Sequence, residues 1–365
     1  MTGRSRRRPA ETDLSRVRTV PIARRPNKVR AEEFASPPGR DRSFAAFLRA
    51  LPDVLAARDF LAVTEAIVRA RRRKRGVVAM LGGHVIKTGL APVLIDLMRR
   101  GIITHVAMNG SAAIHDYEVA RFGGTSEDVA AGLRHGTFGM AEETGRGMNE
   151  AFIRGSKETR GMGEALAIAL DEERKLAHPE LSILLAAWTL DVPATVHAAL
   201  GAEIIHQHPA AEGAAIGDTS HRDFRRLAAS LESIDGGGVV LNFGSAVIMP
   251  EVFLKALTIS RNVNRGRPRD FVTCDLDMQR HYRPHVNVVL RPTLDGGKGY
   301  EITGHHEIMV PMLACGDRTD VEAISLRTSR DRAGRPTKKG EAEFRFALRL
   351  FALREIALRS SPFAK

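Results

Sequence analysis

The pattern of hydrophobic and polar residues predicts an α/β protein. Residues 43–74 carry apolar positions at three- and four-residue steps, which predicts two amphipathic helices. The apolar run GVVAML (76–81) then enters a glycine-rich loop, as a buried parallel strand does. LAPVLIDLMRRG (90–101) predicts a helix that stops at a glycine, and IITHVAM (102–108) predicts the next strand. Strand, crossover helix and strand in about 30 residues form a βαβ unit.

The same pattern recurs further along the chain. VPATVHAAL (192–200), DFVTCDLD (270–277) and HVNVVLRPT (285–293) each predict a strand, and GGGVVLNFGSAVIMPEVFLKAL (236–257) predicts a strand, a loop and a helix. No Pro- or Ser-rich linker interrupts residues 41–316. This range therefore predicts one Rossmann-like doubly wound domain, a parallel sheet with helices on both faces and an N-terminal helical extension.

The net charge of +12 is concentrated at the two ends of the chain. Residues 1–40 hold 11 Lys and Arg against 4 Asp and Glu, and residues 317–365 hold 12 against 7. Residues 1–40 predict a basic flexible arm, and residues 317–365 predict a basic tail with an amphipathic helix. The domain between them is neutral overall. We therefore expect it to bind a small molecule, with any nucleic-acid contact confined to the basic ends.

Cysteine content and hydropathy favour a cytoplasmic protein. The chain has 2 cysteines, Cys274 and Cys315, and no CxxC motif, which argues against a disulfide framework and a thiolate zinc site. No apolar run reaches the length of a membrane span. The N-terminal arginines are not followed by the hydrophobic segment of a secretory signal. We expect a protein of the reducing cytosol without a membrane partner.

Three loops follow predicted strands and combine glycine with polar residues. They are LGGHVIKTG (81–89), NGSAAIHD (109–116) and LNFGSA (241–246). In an open parallel sheet, ligands bind where the carboxyl ends of the strands meet. Glycines at a helix start let backbone N–H groups approach a phosphate. The loops therefore predict a nucleotide cofactor site, although each could also serve only as a helix start.

Other polar residues permit different chemistry. Asp275 and Asp277 share one face of a predicted strand, where they could bind a cation or raise each other's pKa. Lys298 stands between glycines, where a turn or a function would explain it. HQHP (206–209) and GHHE (304–307) have spacings that suit a metal. The alternative function is thus a metal-dependent hydrolase or lyase that uses His206, His208, His281, His305, His306 and Glu307.

Residues 83–118, GHVIKTGLAPVLIDLMRRGIITHVAMNGSAAIHDYE, resemble the deoxyhypusine synthase family. That family has a small-residue loop, an amphipathic helix, a strand and a second loop before an acidic helix start. The similarity continues through VPATVHAAL, GGGVVLNFGSA and VPMLA, and it spans roughly residues 70–315. The resemblance implies a homotetramer with a Rossmann-like sheet. It also implies an enzyme that uses NAD to move the aminobutyl group of spermidine to a lysine.

By position, the resemblance implies roles for particular residues. The implied NAD contacts are Gly83, His84, Val85, Ile86, Lys87, Asn109, Gly110, Ser111 and His306. The implied substrate contacts are His115 and Asp116, and the other predicted substrate contacts are Glu203, Asn242, Asp275 and Asp277. The family's catalytic lysine follows a Trp-Gly pair, whereas the single tryptophan here is Trp188 and the nearest candidate is Lys298. His115 and Asn242 also replace residues that the family keeps at those positions.

The expected reaction is NAD-dependent aminoalkyl transfer from spermidine or a related amine to a lysine or amine acceptor. Hydride transfer from the carbon next to an amine gives an imine, and a neutral lysine can capture that imine. Lys298 is the predicted nucleophile, and His281 or His305 is predicted to move the proton. A third possibility is a non-catalytic nucleotide-binding protein whose basic ends contact RNA.

Overall fold

Six parallel strands form one sheet in the computed structural model, which describes residues 9–316. Their order across the sheet is β3-β2-β1-β4-β5-β6, and every neighbouring pair is parallel. The strands are β1 (Val77–Leu81), β2 (His105–Asn109), β3 (Ala194–His197), β4 (Val239–Phe243), β5 (Val272–Asp277) and β6 (Lys298–Thr303). The predicted Rossmann-like doubly wound fold is confirmed.

Helices connect the strands and precede the first one. They are α1 (Phe44–Ala50), α2 (Leu55–Arg72), α3 (Gly83–Lys87), α4 (Ala91–Arg99), α5 (Gly110–Phe122), α6 (Val129–His135), α7 (Glu142–Lys157), α8 (Met162–Asp171), α9 (Ile183–Thr189), α10 (Gly213–Ser230), α11 (Ile248–Val263), α12 (Tyr282–Pro284) and α13 (His306–Gly316). Short 3₁₀ helices lie at Leu14–Arg16, Ile22–Arg24, Ala31–Glu33, Pro179–Leu181, Ile204–Gln207, Leu231–Ile234 and Arg291–Thr293.

One predicted strand is wrong. HVNVVLRPT forms a π-helical turn, His285–Leu290, followed by the 3₁₀ helix, and the sixth strand begins only at Lys298. Val288 and Val289 are buried, so the apolar run packs against the sheet without joining it. A Cβ on Gly299 would lie 2.0 Å from the carbonyl oxygen of Val289. Glycine at that position therefore lets the helical segment cross directly over β6.

Strand β1 is one of the two central strands of the sheet, and like its neighbour β4 it is buried along its whole length. All five residues of Val77–Leu81 are buried, between β2 on one side and β4 on the other. Val78 and Met80 face a core formed with α10 and α11, which contribute Leu227 and Phe253. Alternate residues of β1 face the larger core on the opposite side. Helices thus cover both faces of the sheet, as the continuous apolar runs predict.

Residues 9–32 are exposed, and two backbone hydrogen bonds connect residues 33–36 to the end of α1 and to the segment that follows it. The N–H of Asp53 donates to the carbonyl of Glu33 at 2.9 Å, and the N–H of Ser36 donates to the carbonyl of Ala50 at 3.0 Å. The predicted tail helix in residues 317–365 lies outside the described residues. Within residues 9–316, no helix has both the length and the apolar character needed to cross a membrane.

Asp223 ties α10 to the sheet from a fully buried position. Its Oδ2 accepts hydrogen bonds from the N–H groups of Gly163 and Val196, each at 2.8 Å. Burial raises the pKa of its carboxyl group to about 7. The side chain therefore joins α10, the start of α8 and strand β3 through a single carboxyl group.

We expect Asp223→Ala to lower the free energy of unfolding by about 2–4 kcal/mol, because two buried backbone donors lose their acceptor. Chemical denaturation measures the change. Arg225→Ala is the matched control, since Arg225 is exposed on the same helix. A loss no larger than that of the control would contradict the role assigned to Asp223.

Candidate functional site

Strands β1 and β4 lie side by side, yet the chain leaves them in opposite directions across the sheet. Two glycines meet at this switch point. The N–H of Gly82 donates to the carbonyl of Phe243 at 2.9 Å, and a Cβ on Gly82 would lie 2.2 Å from the carbonyl oxygen of Gly244. Gly244 has a φ of +65°, which favours glycine. No side chain separates the two loops at the position where open α/β sheets bind ligands.

Two histidines flank this glycine contact. His306 is buried at the start of α13, and its Nε2 donates to the carbonyl of Leu276 at 3.0 Å. Its ring packs against Gly244, where a Cβ would lie 2.6 Å from Cε1. His84 is exposed, with its ring centroid 5.5 Å from that of His306. The predicted cofactor residues His84 and His306 are thus brought together.

The loop after β2 adjoins the loop after β1. A Cβ on Gly83 would lie 2.3 Å from Oγ of Ser111. Asn109 caps α5, because its Oδ1 accepts from the N–H of Ala112 at 2.9 Å. The carboxyl group of Glu203 lies over Gly110, where a Cβ would be 2.4 Å from Cδ of Glu203. The start of α5 therefore faces a carboxyl group from this chain, which the helix dipole favours.

A cavity of about 310 Å³ opens beside these loops. Its charged and polar walls combine three glutamates with a lysine, a histidine and serines, and the remaining wall is mostly apolar. The lining residues are Lys87, Ser111, Ile114, His115, Glu118, Ser126, Glu127, Val129, Phe138, Ala141, Ala202, Glu203 and Ile204. Lys87, Ser111, His115 and Glu203 were predicted from the sequence, and the cavity brings all four together.

His115, Thr125 and Glu118 form a hydrogen-bonded chain in this cavity. Nδ1 of His115 lies 2.7 Å from Oγ1 of Thr125, whose hydroxyl donates to Oε2 of Glu118. Thr144 donates to the other oxygen of Glu118 at 3.0 Å. Burial, with a smaller contribution from the charge of Lys87, lowers the pKa of His115 to about 4. The imidazole is therefore neutral at physiological pH.

Glu203 has a pKa raised to about 7, because burial disfavours its charged form. The N–H of Ala199 donates to its Oε1 at 2.8 Å and partly opposes this effect. Its Oε2 lies 3.1 Å from Nε2 of His206. A carboxyl group with a pKa near 7 can exchange a proton with a ligand in the cavity.

Asp116, a predicted substrate contact, has a different role in the structure. It is fully buried and caps α9, where it accepts from the hydroxyl of Ser182 at 2.7 Å and from the N–H groups of Ile183 and Leu184 at 2.7 and 3.2 Å. Burial raises its pKa to about 6 against the effect of these bonds. Because every donor belongs to the start of α9, Asp116 has a structural role.

Asn242 and Asp275 lie on adjacent strands and do not line the cavity. Nδ2 of Asn242 donates to Oδ1 of Asp275 at 2.7 Å. Burial raises the pKa of Asp275 to about 7, and the charges of Asp277 and Glu301 add to the shift. Asn242 is opposite Met80 in the strand register, on the face that α10 and α11 cover. The structure thus separates this pair from the residues around His115.

Lys298, the predicted nucleophile, lies at the wrong rim of the sheet for that role. It is the first residue of β6 and lies opposite Val272 at the start of β5, so it sits at the amino rim of the sheet. The candidate loops all lie at the carboxyl rim. Its Nζ lies 4.7 Å from the ring centroid of Tyr300. Lys298 therefore cannot attack a substrate held beside Gly83 or His115.

The predicted proton carriers lie at the correct rim but away from the cavity. His281 follows β5 and is half-buried, and His305 follows β6 and is exposed. Nδ1 of His305 lies 3.6 Å from Oε1 of Glu307. Neither residue lines the cavity, and Asp277, at the end of β5, does not line it either.

The metal site proposed as an alternative is also wrong for the described residues. His206 and His208 follow β3, at one edge of the sheet, whereas the histidines near residues 281 and 305 follow β5 and β6, at the other edge. Nε2 of His208 lies 3.1 Å from Oε2 of Glu142 instead. Among residues 9–316, no cluster of three or more His, Cys, Asp or Glu side chains is arranged to hold a metal ion.

Sequence reasoning missed Glu118, Thr125 and Glu127. Glu118 lies one helical turn after His115 on α5, so a shared helix face could have indicated it. Thr125 and Glu127 stand in a polar loop without periodicity. Oε1 of Glu127 accepts from the N–H of Gly139 at 2.9 Å, a contact that only the folded loop creates.

No family model matches this chain, and no curated protein matches it. Several solved structures are similar. A LOR/SDH-type protein from Methanococcus maripaludis S2 has 13% identity and a TM-score of 0.44, over 77% of this chain and 71% of that one. A protein described as a deoxyhypusine synthase from Entamoeba histolytica has 7% identity and a TM-score of 0.45, over 75% and 92%.

AgrE, in a ternary complex with ornithine and NAD⁺, has 13% identity and a TM-score of 0.43, over 72% of this chain. This chain spans 33% of the length of AgrE.

We expect the Glu203→Gln variant to gain stability over the natural chain as pH rises from about 4.5 to 7. The folded-state pKa of Glu203 lies above its ordinary value, so ionisation at higher pH destabilises the natural chain and leaves glutamine unaffected. The difference should approach about 3 kcal/mol at pH 8. Denaturation midpoints across this range measure it, and a difference that does not change with pH would contradict the shifted pKa.

Proposed function

We propose that this protein binds a nicotinamide dinucleotide at the carboxyl rim and uses it to oxidise a small amine held in the adjoining cavity. The observation that carries the proposal is the contact between Gly82 and Gly244 at the switch point of a 3-2-1-4-5-6 sheet. In sheets of this order, dinucleotides bind across that crevice. An acidic cavity opens directly beside it.

The residues at the switch point fit a dinucleotide. Gly82, Gly83 and Gly244 have no side chains, and the space that a Cβ would take at each is filled by Gly244, Ser111 and His306. A pyrophosphate would therefore approach their backbone from the carboxyl rim. Helix α11 begins at Ile248, and the first N–H groups of a helix lack acceptors within it. Ser245 satisfies one of them, because its Oγ accepts from Met249 at 3.1 Å. Pro250 has no N–H, and the N–H of Glu251 donates to the carbonyl of Val247 at 3.2 Å. The N–H of Ile248 is therefore the donor of this first turn that we assign to the phosphates.

The cavity next to the crevice fits a cationic ligand with a hydrocarbon part. Glu118, Glu127 and Glu203 outnumber the one lysine in its wall, Lys87. Carboxylates stabilise a bound ammonium group, and Ile114 with Phe138 supplies apolar surface for methylene groups. A bound nicotinamide would supply the acceptor for a hydride from the carbon that carries the nitrogen.

The acceptor of the proposed transfer differs from the one expected at first. Lys298 is at the opposite rim, so an imine formed in the cavity cannot reach it. We propose instead that a second small amine enters the same cavity and exchanges with the imine. Aminoalkyl transfer from spermidine or a related amine is then possible without a covalent bond to the enzyme.

We expect the full chain to bind NAD⁺, and Val247→Glu to weaken this binding at least tenfold. Val247 is exposed immediately before α11, so a carboxylate there would repel the phosphates. Titration calorimetry measures the affinity. Val263→Glu is the matched control, because it makes the same change at the other end of α11, where Val263 is exposed.

An affinity unchanged by Val247→Glu would mean that the cofactor binds elsewhere. Absence of any NAD⁺ binding to the natural chain would refute the proposed function. Spermidine and putrescine, added with NAD⁺, test the amine by formation of NADH, and the neutral analogue 1,4-butanediol is the control for charge recognition.

A further inference from the structure

The hydrogen-bonded chain on α5 gives His115 a defined chemical role. We propose that His115 is the catalytic base of this site, with Thr125 and Glu118 as the residues that position it. The proposal rests on the proposed function, since it concerns the amine oxidised in the same cavity. Nε2 is the atom that accepts the proton.

The number of hydrogens available in the hydrogen bonds from His115 through Thr125 to Glu118 determines the tautomer of His115. The hydroxyl of Thr125 has one hydrogen, which it donates to Glu118. Its contact with Nδ1 of His115, at 2.7 Å, therefore requires Nδ1 to donate. A neutral imidazole with its proton on Nδ1 has a lone pair on Nε2. Nε2 is thus the nitrogen that can accept a proton from a ligand.

The surrounding helices hold the hydrogen-bonded side chains of His115, Thr125 and Glu118 in place. His115 and Glu118 are one turn apart on α5, so both side chains emerge on the same face of the helix. Thr144, at the start of α7, holds the second oxygen of Glu118. The imidazole can therefore rotate only if the bond to Thr125 breaks.

The free edge of the ring faces the cofactor loop. The position of a Cβ on Gly83 lies 3.1 Å from Cδ2 of His115, the carbon bonded to Nε2. Among the described residues, none makes a hydrogen bond to Nε2, and His115 lines the cavity. Because the Cδ2 edge of the ring packs closely against Gly83, a substrate would reach Nε2 from the cavity.

The charged groups around His115 support both states of the ring. Lys87 and burial keep the resting imidazole neutral, so its lone pair is available. Once the ring accepts a proton, Nδ1 still donates to Thr125, and the carboxylate of Glu118 lies one hydroxyl away. This arrangement resembles other pairs in which a carboxylate orients a catalytic histidine.

In the proposed step, His115 takes a proton from the substrate ammonium group. An N–H bond of the substrate ammonium breaks, its electron pair stays on nitrogen, and the proton bonds to Nε2. A bound nicotinamide would supply the two-electron acceptor for the hydride of the carbon next to that nitrogen, with the nitrogen lone pair forming the C=N bond. The substrate is oxidised by two electrons, and the imidazolium later returns its proton to solvent or to the acceptor amine.

Nitrogen NMR of the full chain tests the tautomer without any ligand, with His115→Gln used to assign the resonances. We expect His115 to carry its proton on Nδ1. Thr125→Val should give a mixture of tautomers, whereas Thr125→Ser should restore the natural state. Thr137→Val is the control, because Thr137 is exposed and outside the cavity. A proton on Nε2 in the natural chain would overturn the proposal.

Addition of putrescine with NAD⁺ then tests contact and catalysis. We expect the Nε2 resonance of His115 to move, and Thr125→Val to lower NADH formation at least a hundredfold while NAD⁺ affinity is retained. Amine binding without movement of that resonance would overturn the role of His115 but leave the proposed function intact. Absence of NAD⁺ binding would instead remove the proposed function, which the calorimetric titration detects separately.

Discussion

The backbone contact between Gly82 and Gly244 is the constraint on which the candidate site depends. Strand β1 is buried along its whole length, and each buried Val or Leu contributes about 1.5–3 kcal/mol, so the strand cannot shift to make room. A side chain at Gly82 would overlap the backbone of the neighbouring loop. The two loops can therefore meet at the switch point only if this position is glycine, and their meeting leaves bare backbone where a cofactor would lie.

The common direction of the strands determines which residues can act together. All six strands end at one rim, so the position of a side chain along its strand decides whether it can reach the site. Lys298 begins its strand and is excluded, although its position between two glycines allowed a functional role. His115 and Glu203 follow their strands and meet in one cavity. The direction of the strands is thus more informative than the local sequence when a functional role is assigned to a residue.

Most of the sheet could be predicted from the sequence, because buried parallel strands appear as short apolar runs that end in glycine or polar residues. The run at 285–293 misleads because a buried helical turn between Pro284 and Pro292 has the same apolar pattern as a strand. The site could be predicted only in part. His115 follows a recognisable loop, whereas Thr125 reaches it from a polar segment whose path depends on tertiary contacts. Asp116 illustrates the converse, since its acidic character suggested a ligand and its carboxyl group caps a helix.

Glu203 shows how the fold and the proposed chemistry are connected. Its carboxyl group lies over the start of α5, where the helix dipole favours a negative charge, yet burial raises its pKa to about 7. The two effects oppose each other, so a small change in nearby charge decides whether the group is ionised. A bound ammonium group would favour the carboxylate and release its proton. Under the proposed function, amine binding would therefore be coupled to the loss of a proton from Glu203, and Lys87, in the same wall, would oppose a second cation there. Two amines would then occupy the cavity together only if one of them is neutral, which is the state that the proposed imine exchange requires.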